Sequence, residues 1–333
     1  MGSRQVVDMT ERRCGTGRSC SACDNCENRC RREQQRAAAG RIAGEQGGVV
    51  SRKQLFASGL TRWQIGAELR AKRWAAHPRQ TIALHTGELT EAGLWWSAIF
   101  EVGSGAAIDG STALRAAGLQ GFADPIHVSV PKSARPRHPA GVIVHETRRR
   151  APGDLIETGL PRVRPVVAAI RAALWARSDK QAALVLAMCV QQRIVRPSDL
   201  ADAFAGVRRH RRRRFLQTVL ADLANGAESI GELEFARLCR DFGLPEPERQ
   251  TRRTGPHGTF HLDAEWPSYG VVVEIDGVHH LEPAQVLADS LRQNELTIGD
   301  SRVLRIPVIG LRTTPGPYLT QLARLLRAGG RPG

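Results

Sequence analysis

Phe260-His261-Leu262-Asp263-Ala264-Glu265-Trp266-Pro267-Ser268-Tyr269-Gly270-Val271-Val272-Val273-Glu274-Ile275-Asp276-Gly277-Val278-His279-His280 is where the chain declares its architecture. Side chains alternate between the two faces of a strand. A strand over Thr259 to Trp266 therefore puts Phe260, Leu262, Ala264 and Trp266 on one face and His261, Asp263 and Glu265 on the other. The same period over Gly270 to Gly277 separates Val271, Val273 and Ile275 from Val272, Glu274 and Asp276. Between the two runs, Pro267-Ser268-Tyr269-Gly270 is short and rich in turn formers, so the segment reads as a hairpin. Three carboxylates, Asp263, Glu274 and Asp276, then converge at one end of one sheet face.

Carboxylates brought that close repel, and a hard divalent cation is the usual reason for tolerating them. Magnesium, or manganese in its place, keeps several waters and takes one or two protein carboxylates plus phosphate oxygens of a substrate. Asp263 and Glu274 are the expected ligands, with the Ile275 carbonyl as a third donor. Such an ion stabilises charge on a phosphate and helps generate hydroxide from water. His279 or His280, just past the strand end, suits a general base or leaving-group acid, because imidazole titrates near neutrality. Asp276 would orient a water, a histidine or a second ion. The plainer alternative is that Asp276-Gly277 is only a turn and the acids are ordinary strand-end residues.

The pattern from Ser229-Ile230-Gly231-Glu232, through His261-Leu262-Asp263-Ala264-Glu265-Trp266-Pro267 and Val273-Glu274-Ile275-Asp276-Gly277-Val278-His279-His280, to Val303-Leu304-Arg305-Ile306 resembles the very-short-patch-repair (Vsr)-like endonucleases. Those belong to the PD-(D/E)XK, restriction-endonuclease-like superfamily. The resemblance covers roughly the last third of the chain and implies a central mixed sheet flanked by helices. It also implies metal ligation by Asp263 and Glu274 with a contribution from Glu232. Asp276 stands where many members of the superfamily carry a catalytic lysine, which related repair-type members also lack. Glu232 has a second explanation, since Ser229-x-x-Glu232 is a capping box at a helix start. Beyond the motif, about Pro283 to Ile298 reads as a helix and Arg302 to Ile309 as a strand, which together fit a parallel crossover.

Upstream, Glu33 to Gln46 reads as an alanine-rich helix. Ser51 can cap a second helix running to about Ser58, Gly59-Leu60 makes a turn, and Thr61 can cap a third from Arg62 to Ala71. Helix, short turn, helix places the later helix in a DNA major groove, with Arg62, Gln64 and Arg70 as candidate contacts. Trp63, Ile65 and Leu69 are left for packing, and Trp74 to Leu84 for a wing. Through Gly48-Val49-Val50-Ser51-Arg52-Lys53-Gln54-Leu55 and Gly59-Leu60-Thr61, this segment resembles the winged-helix domain of AbiEi-type antitoxins of type IV toxin-antitoxin systems. Residues 91–228 resemble the middle region of the same proteins, with Gly110 to Leu114 at a helix start and Ile126 to Pro131 as a strand. The resemblance implies DNA binding and a nucleotidyltransferase-like toxin as partner.

The expected organisation is a multidomain α/β chain. A cysteine-rich segment occupies 1–32, a winged helix 33–90, a mixed α+β middle region 91–228, and a restriction-endonuclease-like mixed sheet flanked by helices 229–333. Of the 48 basic residues only Lys53, Lys72, Lys132 and Lys180 are lysine, a bias that a GC-rich genome also produces. The net charge of +15 is unevenly spread. Residues 229–333 carry 12 arginines against 13 carboxylates, net −1, which leaves +16 for residues 1–228. Attraction for phosphate must come from upstream. The densest run is Arg208-Arg209-His210-Arg211-Arg212-Arg213-Arg214, and Arg211, Arg212 and Arg213 are candidate DNA contacts. No run of eighteen apolar residues and no signal-peptide core is present, so the expectation is a cytoplasmic protein with no membrane partner.

Cys20-x2-Cys23-x2-Cys26-x3-Cys30 has the spacing of bacterial ferredoxin ligands, and fits an iron-sulfur cluster or zinc. No proline follows Cys30 and no second such motif occurs. A misplaced start codon is a competing explanation for the segment, since Met9 lies inside it and the recognisable domains begin only near residue 33. The leading functional expectation is a divalent-metal-dependent DNA endonuclease with an N-terminal DNA-binding domain. Its alternatives are a DNA-binding regulator or AbiEi-like antitoxin with a catalytically silent nuclease fold, and a redox-sensing DNA-binding protein.

Overall fold

A computed structural model describes residues 24–148, 150–151, 153–225, 232–255, 258–276 and 302–330. Among the described residues the chain is mixed α/β, with twelve helices and three small sheets, and it divides into two compact units. The first holds residues 1–108, 128–151 and 156–161, and the second 109–127, 152–155 and 162–333. No described helix is long and apolar enough to cross a membrane.

The first unit begins with α1 (Asp24–Glu45), β1 (Val49–Ser51), α2 (Arg52–Ala57), α3 (Arg62–Arg70), β2 (Ala75–His77) and β3 (Thr81–Ala83). The two short helices start where they do because each has a reciprocal cap. Ser51 accepts the Gln54 amide while the Gln54 side chain accepts the Ser51 amide, and Thr61 and Gln64 repeat the arrangement. Ser58 and Gly59 make the turn between them, and Gly59 adopts φ +83°, a left-handed conformation that favours glycine. The strands pair antiparallel in the order β1-β3-β2, with Val50 and Ala76 both opposite Ile82. Ala39 and Ala43 of α1 close a core of Val50, Leu55, Leu60, Ile65, Trp74 and Ile82.

Two buried carboxylates stiffen this arrangement. Glu68 of α3 is ion-paired to Arg36 of α1 and, at 2.6 Å, to Arg73. The hydrogen bond from Arg73 is the main reason its carboxyl lies below the ordinary range. From α4 (Glu91–Val102), Glu101 Oε1 accepts the amides of Arg79 (3.3 Å), Gln80 (2.7 Å) and Thr81 (3.0 Å), and the Thr81 hydroxyl (2.9 Å). The β2–β3 turn is thereby held from beneath. Arg52 adds a second tie, its Nε donating to the Arg79 carbonyl at 2.7 Å. Later in the unit, β4 (Ala107–Ile108) pairs antiparallel with β5 (Ile126–Pro131), setting Ile108 opposite Val128, and β6 (Val142–Thr147) lies on the far side of β5.

In the second unit α5 (Gly110–Ala116) is followed, after the two-residue strands β7 (Leu155–Ile156) and β8 (Arg162–Val163), by α6 (Pro165–Trp175), α7 (Asp179–Gln191), α8 (Pro197–Ala205) and α9 (Arg213–Asn225). Asp109 caps α5 and accepts a hydrogen bond from Arg171 of α6 at 2.7 Å. His127 is buried, stacked parallel to Trp175, with Nε2 3.1 Å from Asp124. The strand role expected for Ile126 to Pro131 and the helix start at Gly110 are both observed.

The unit continues with α10 (Glu232–Asp241), β9 (Glu248–Gly255), β10 (Gly258–Trp266), a 3-10 turn at Pro267–Tyr269, β11 (Val271–Asp276), β12 (Arg302–Pro307), α11 (Val308–Thr313) and α12 (Pro315–Gly329). The sheet order is β12-β11-β10-β9, with β10 antiparallel to both neighbours and β11 parallel to β12. The parallel pairing expected after the motif is thus present, while the helix expected near 283–298 lies outside the described residues. One sheet face, built of Ala264, Trp266, Val271, Val273, Ile275 and Ile306, packs on Phe235 and Cys239 of α10 and on Leu311, Leu319 and Leu322 of the last two helices. Close packing at its edge demands Gly329, where an added Cβ would lie 2.4 Å from the Tyr269 carbonyl oxygen. Arg312 of α11 joins Asp222 of α9 and Glu234 of α10, tying the three helices together. Burial works against its charge, and its hydrogen bonds to Asp222 and Glu234 outweigh that and raise its pKa.

Cys189 and Cys239 are both fully buried, and burial pushes each thiol up to about 12, as befits core residues.

Stability measurements can read two of these contacts. Glu101→Gln removes a charged acceptor of three amides and should cost about 1–3 kcal/mol in chemical denaturation, with faster hydrogen exchange at residues 79–81. A result within error of wild type contradicts the anchoring role. His127 has its pKa lowered from 6.5, chiefly by burial and against the pull of Asp124. The unfolded chain therefore binds the proton more readily, so the stability this group contributes is present above 6.5 and is lost as pH falls below it. Thermal denaturation of His127→Gln should decline less steeply than wild type across that acidic range.

Candidate functional site

The β10–β11 ladder runs Trp266↔Val271, Glu265↔Val272 and Ala264↔Val273. The paired ladder ends there, and the next residue of β10, Asp263, meets β11 through its side chain, beside Glu274. The Asp263 carboxylate accepts the Ile275 amide at 2.8 Å. On the other side, the parallel register sets Glu274 beside Arg305 of β12, whose Nη2 lies 3.2 Å from Glu274 Oε2. Glu274 is only 3% exposed, while Asp263 is exposed and the Arg305 side chain is 37% exposed. The result is a row of acid, acid and base across three adjacent strands, open to solvent at both ends.

The expected alternation of faces does not run through the whole of β10. Leu262 packs with Val272 and Val303 on the Glu274 face, whereas Ala264 and Trp266 belong to the opposite core. The strand therefore rotates between Leu262 and Ala264, at the residue whose side chain takes a place in the hydrogen-bonding ladder. This departure gives the site an apolar floor of Leu262, Val272 and Val303. Burial of Glu274 strengthens its attraction to a cation.

Two carboxylates on neighbouring strands form a donor set that suits a hard cation. Arg305 already satisfies part of that demand. Among the described residues no group of three or more His, Cys, Asp or Glu side chains is arranged to hold a metal ion. Glu232 begins α10 and Asp276 ends β11, though their side chains are outside what is described. His279 and His280 lie outside the described residues, as do Cys20 and Cys23. Cys26 falls in α1 with its side chain outside the description, and Cys30 is exposed on the same helix.

The first unit carries a second candidate. A groove of about 470 Å³ runs over the outer face of α3, lined by Arg52, Arg62, Trp63, Gly66, Leu69 and Arg70. Arg62 and Arg70 are both exposed at this groove, within reach of a ligand there, whereas the Gln64 side chain is engaged in the Thr61 cap and reaches Gln35 at 3.3 Å. Trp63 corrects the expectation of packing, being 82% exposed. Helical periodicity held the signal: at 100° per residue, Trp63 stands on nearly the opposite side from buried Ile65. Arg52 was not anticipated, since its place at the groove depends on the tie to the Arg79 carbonyl. Arg305 was missed as well, because only the strand register reveals it.

Arg212 also departs from its expected role. It is 5% exposed, donates to Asp179 at 2.8 Å and to the Leu174 carbonyl at 3.2 Å, and so cements α6 and α7 instead of facing a phosphate. Arg211 and Arg213 flank it, with Arg213 donating to the Val207 carbonyl.

No protein-family model matches the chain, and none of the curated proteins compared with it matches.

Removal of the arginine tests the electrostatics of the first site. A fully buried pair that loses one partner costs about 3–5 kcal/mol, and partial exposure of Arg305 reduces this. Arg305→Met should lose about 1–3 kcal/mol in urea denaturation, with Arg305→Lys recovering part of it. Equal stability of all three proteins would show that Glu274 does not depend on the pair.

Proposed function

We propose that this chain is a divalent-metal-dependent DNA endonuclease, with a winged-helix N-terminal domain that delivers DNA to a restriction-endonuclease-like C-terminal domain. The observation that carries the reading is the Asp263 carboxylate held on the Ile275 amide, next in the chain to Glu274, with Arg305 paired to Glu274 alongside. Magnesium or manganese bound by these two carboxylates would supply charge neutralisation at the scissile phosphate and an acidified water.

The chain's own residues have complementary tasks. Asp263, fixed by the Ile275 amide, is preorganised to present its carboxylate with little loss of side-chain entropy on binding. Glu274, on its apolar floor, strengthens the local field. Arg305 offers a permanent cation for the charge that accumulates on a phosphorane-like transition state, a task that Asp276 cannot perform. His279 or His280 would take or give the proton at the attacking water or the leaving oxygen. Glu232 would contribute a further oxygen donor at the start of α10. The C-terminal segment is slightly acidic and depends on the rest of the chain for phosphate attraction. The helix, turn, helix and strand-pair arrangement of α2, α3, β2 and β3, with Arg62 and Arg70 at the α3 groove, supports that division of labour.

A second reading is favoured by one specific observation. Glu274 is already paired with Arg305, and the Asp263 carboxylate is already engaged by an amide. This balance suits a DNA-binding regulator or antitoxin-like protein whose nuclease fold is silent, with a nucleotidyltransferase-like toxin as its partner.

Incubation of the purified chain with plasmid DNA and magnesium or manganese separates the two. Cleavage by wild type, reduced by at least about 100-fold in both Asp263→Asn and Glu274→Gln, is the expected outcome, in line with loss of a principal electrostatic contribution. Undiminished DNA binding by wild type without any cleavage would overturn the enzyme in favour of the regulator.

A further inference from the structure

The groove on α3 combines two features that serve different parts of a nucleotide. Arg52, Arg62 and Arg70 surround it with positive charge, and Trp63 projects a large aromatic side chain, 82% exposed, at its side. Gly66 keeps the floor low, since a Cβ there would come within 3.3 Å of the Arg70 guanidinium. The volume of about 470 Å³ falls within the range of about 300–1,000 Å³ typical of small-ligand clefts. Arg52 is further held in place by the turn that Glu101 anchors, so the charge at this edge is preorganised.

Duplex DNA makes poor use of such a tryptophan. Indole has a single N–H donor and no acceptor, so it reads base edges badly. Its binding capacity lies in its flat face, and in a duplex the corresponding faces of the bases are stacked against one another. An unpaired base presents that face to any aromatic side chain, irrespective of sequence. Arginines beside an aromatic platform are the arrangement by which proteins track a single strand, with guanidinium groups on phosphates and a base on the ring.

We propose that the α3 groove binds unpaired DNA, Trp63 stacking on an exposed base while Arg52, Arg62 and Arg70 hold the adjoining phosphates. This rests on the proposal that the N-terminal domain binds DNA, and it narrows the substrate to DNA that is single-stranded or locally opened. Recognition would then be governed by DNA structure, with little demand on sequence.

The test is fluorescence anisotropy with the full chain, in EDTA to prevent cleavage and over a series of salt concentrations, against labelled oligothymidine and a labelled mixed-sequence duplex. Wild type, Trp63→Ala, Trp63→Phe and an Arg62→Gln/Arg70→Gln variant are compared. Trp63 is exposed, so its substitution should leave the melting temperature unchanged. Trp63→Ala should weaken single-strand binding about tenfold or more, with duplex binding altered less than about threefold and Trp63→Phe retaining most of the affinity. The double arginine variant should make the logarithmic salt dependence of single-strand binding shallower by about 0.7 for each phosphate that is no longer neutralised. Binding to neither DNA by wild type overturns DNA binding itself and this proposal with it. Duplex binding that survives while Trp63→Ala leaves oligothymidine affinity unchanged, or weakens both DNAs equally, overturns the proposal alone. A change of oligomeric state in Trp63→Ala, without loss of single-strand affinity, assigns the tryptophan to contact with a second copy and likewise overturns it.

Discussion

A carboxylate removed from water must be given a cation, and Glu274 imposes that demand on the C-terminal sheet. It sits 3% exposed on β11, between a strand that carries another acid and a strand that carries a base. On one side the Asp263 carboxylate accepts the Ile275 amide; on the other, parallel pairing brings Arg305. The helices that cover the opposite face hold this register, because a slip of one residue would carry Val271, Val273 and Ile275 out of their core. Packing and site chemistry are thus one constraint seen from two sides of the same sheet.

The hairpin was legible because its turn chemistry and its β-branched run Val271-Val272-Val273 agree, and so was the parallel β12 beyond it. Helix starts at Arg52 and Arg62 were legible for a similar reason: Ser51 and Thr61 stand three residues before glutamines that complete each cap. What escaped the sequence depended on contacts between distant positions. Leu262 leaves its expected face where the Asp263 side chain enters the ladder, and no local pattern announces that. Arg212 sits in a run that looks uniformly solvated, yet Asp179 and the Leu174 carbonyl draw it inside. Arg305 reaches Glu274 only because the parallel register sets two positions far apart in the chain side by side.

The arginine beside Glu274 bears on how such a site would work. A guanidinium cannot be deprotonated in a protein, so its charge persists at every working pH. It stabilises the buried carboxylate in the absence of any other cation and competes with a divalent ion for the same oxygens. An ion that binds here must be hard enough, and helped enough by Asp263 and substrate phosphate, to win that competition. Affinity for the ion should then be modest without DNA and should rise when phosphate joins the coordination. The positive charge of the chain lies upstream, while the C-terminal segment is slightly acidic, so under this proposal attraction for DNA would come from the upstream sequence.

The most direct measurement is manganese binding to the full chain, followed by electron paramagnetic resonance with and without a short DNA strand. The predicted result is a manganese site in wild type that tightens with DNA and disappears in both Asp263→Asn and Glu274→Gln. Manganese binding that is absent from wild type even with DNA, or unchanged in the two variants, would contradict it.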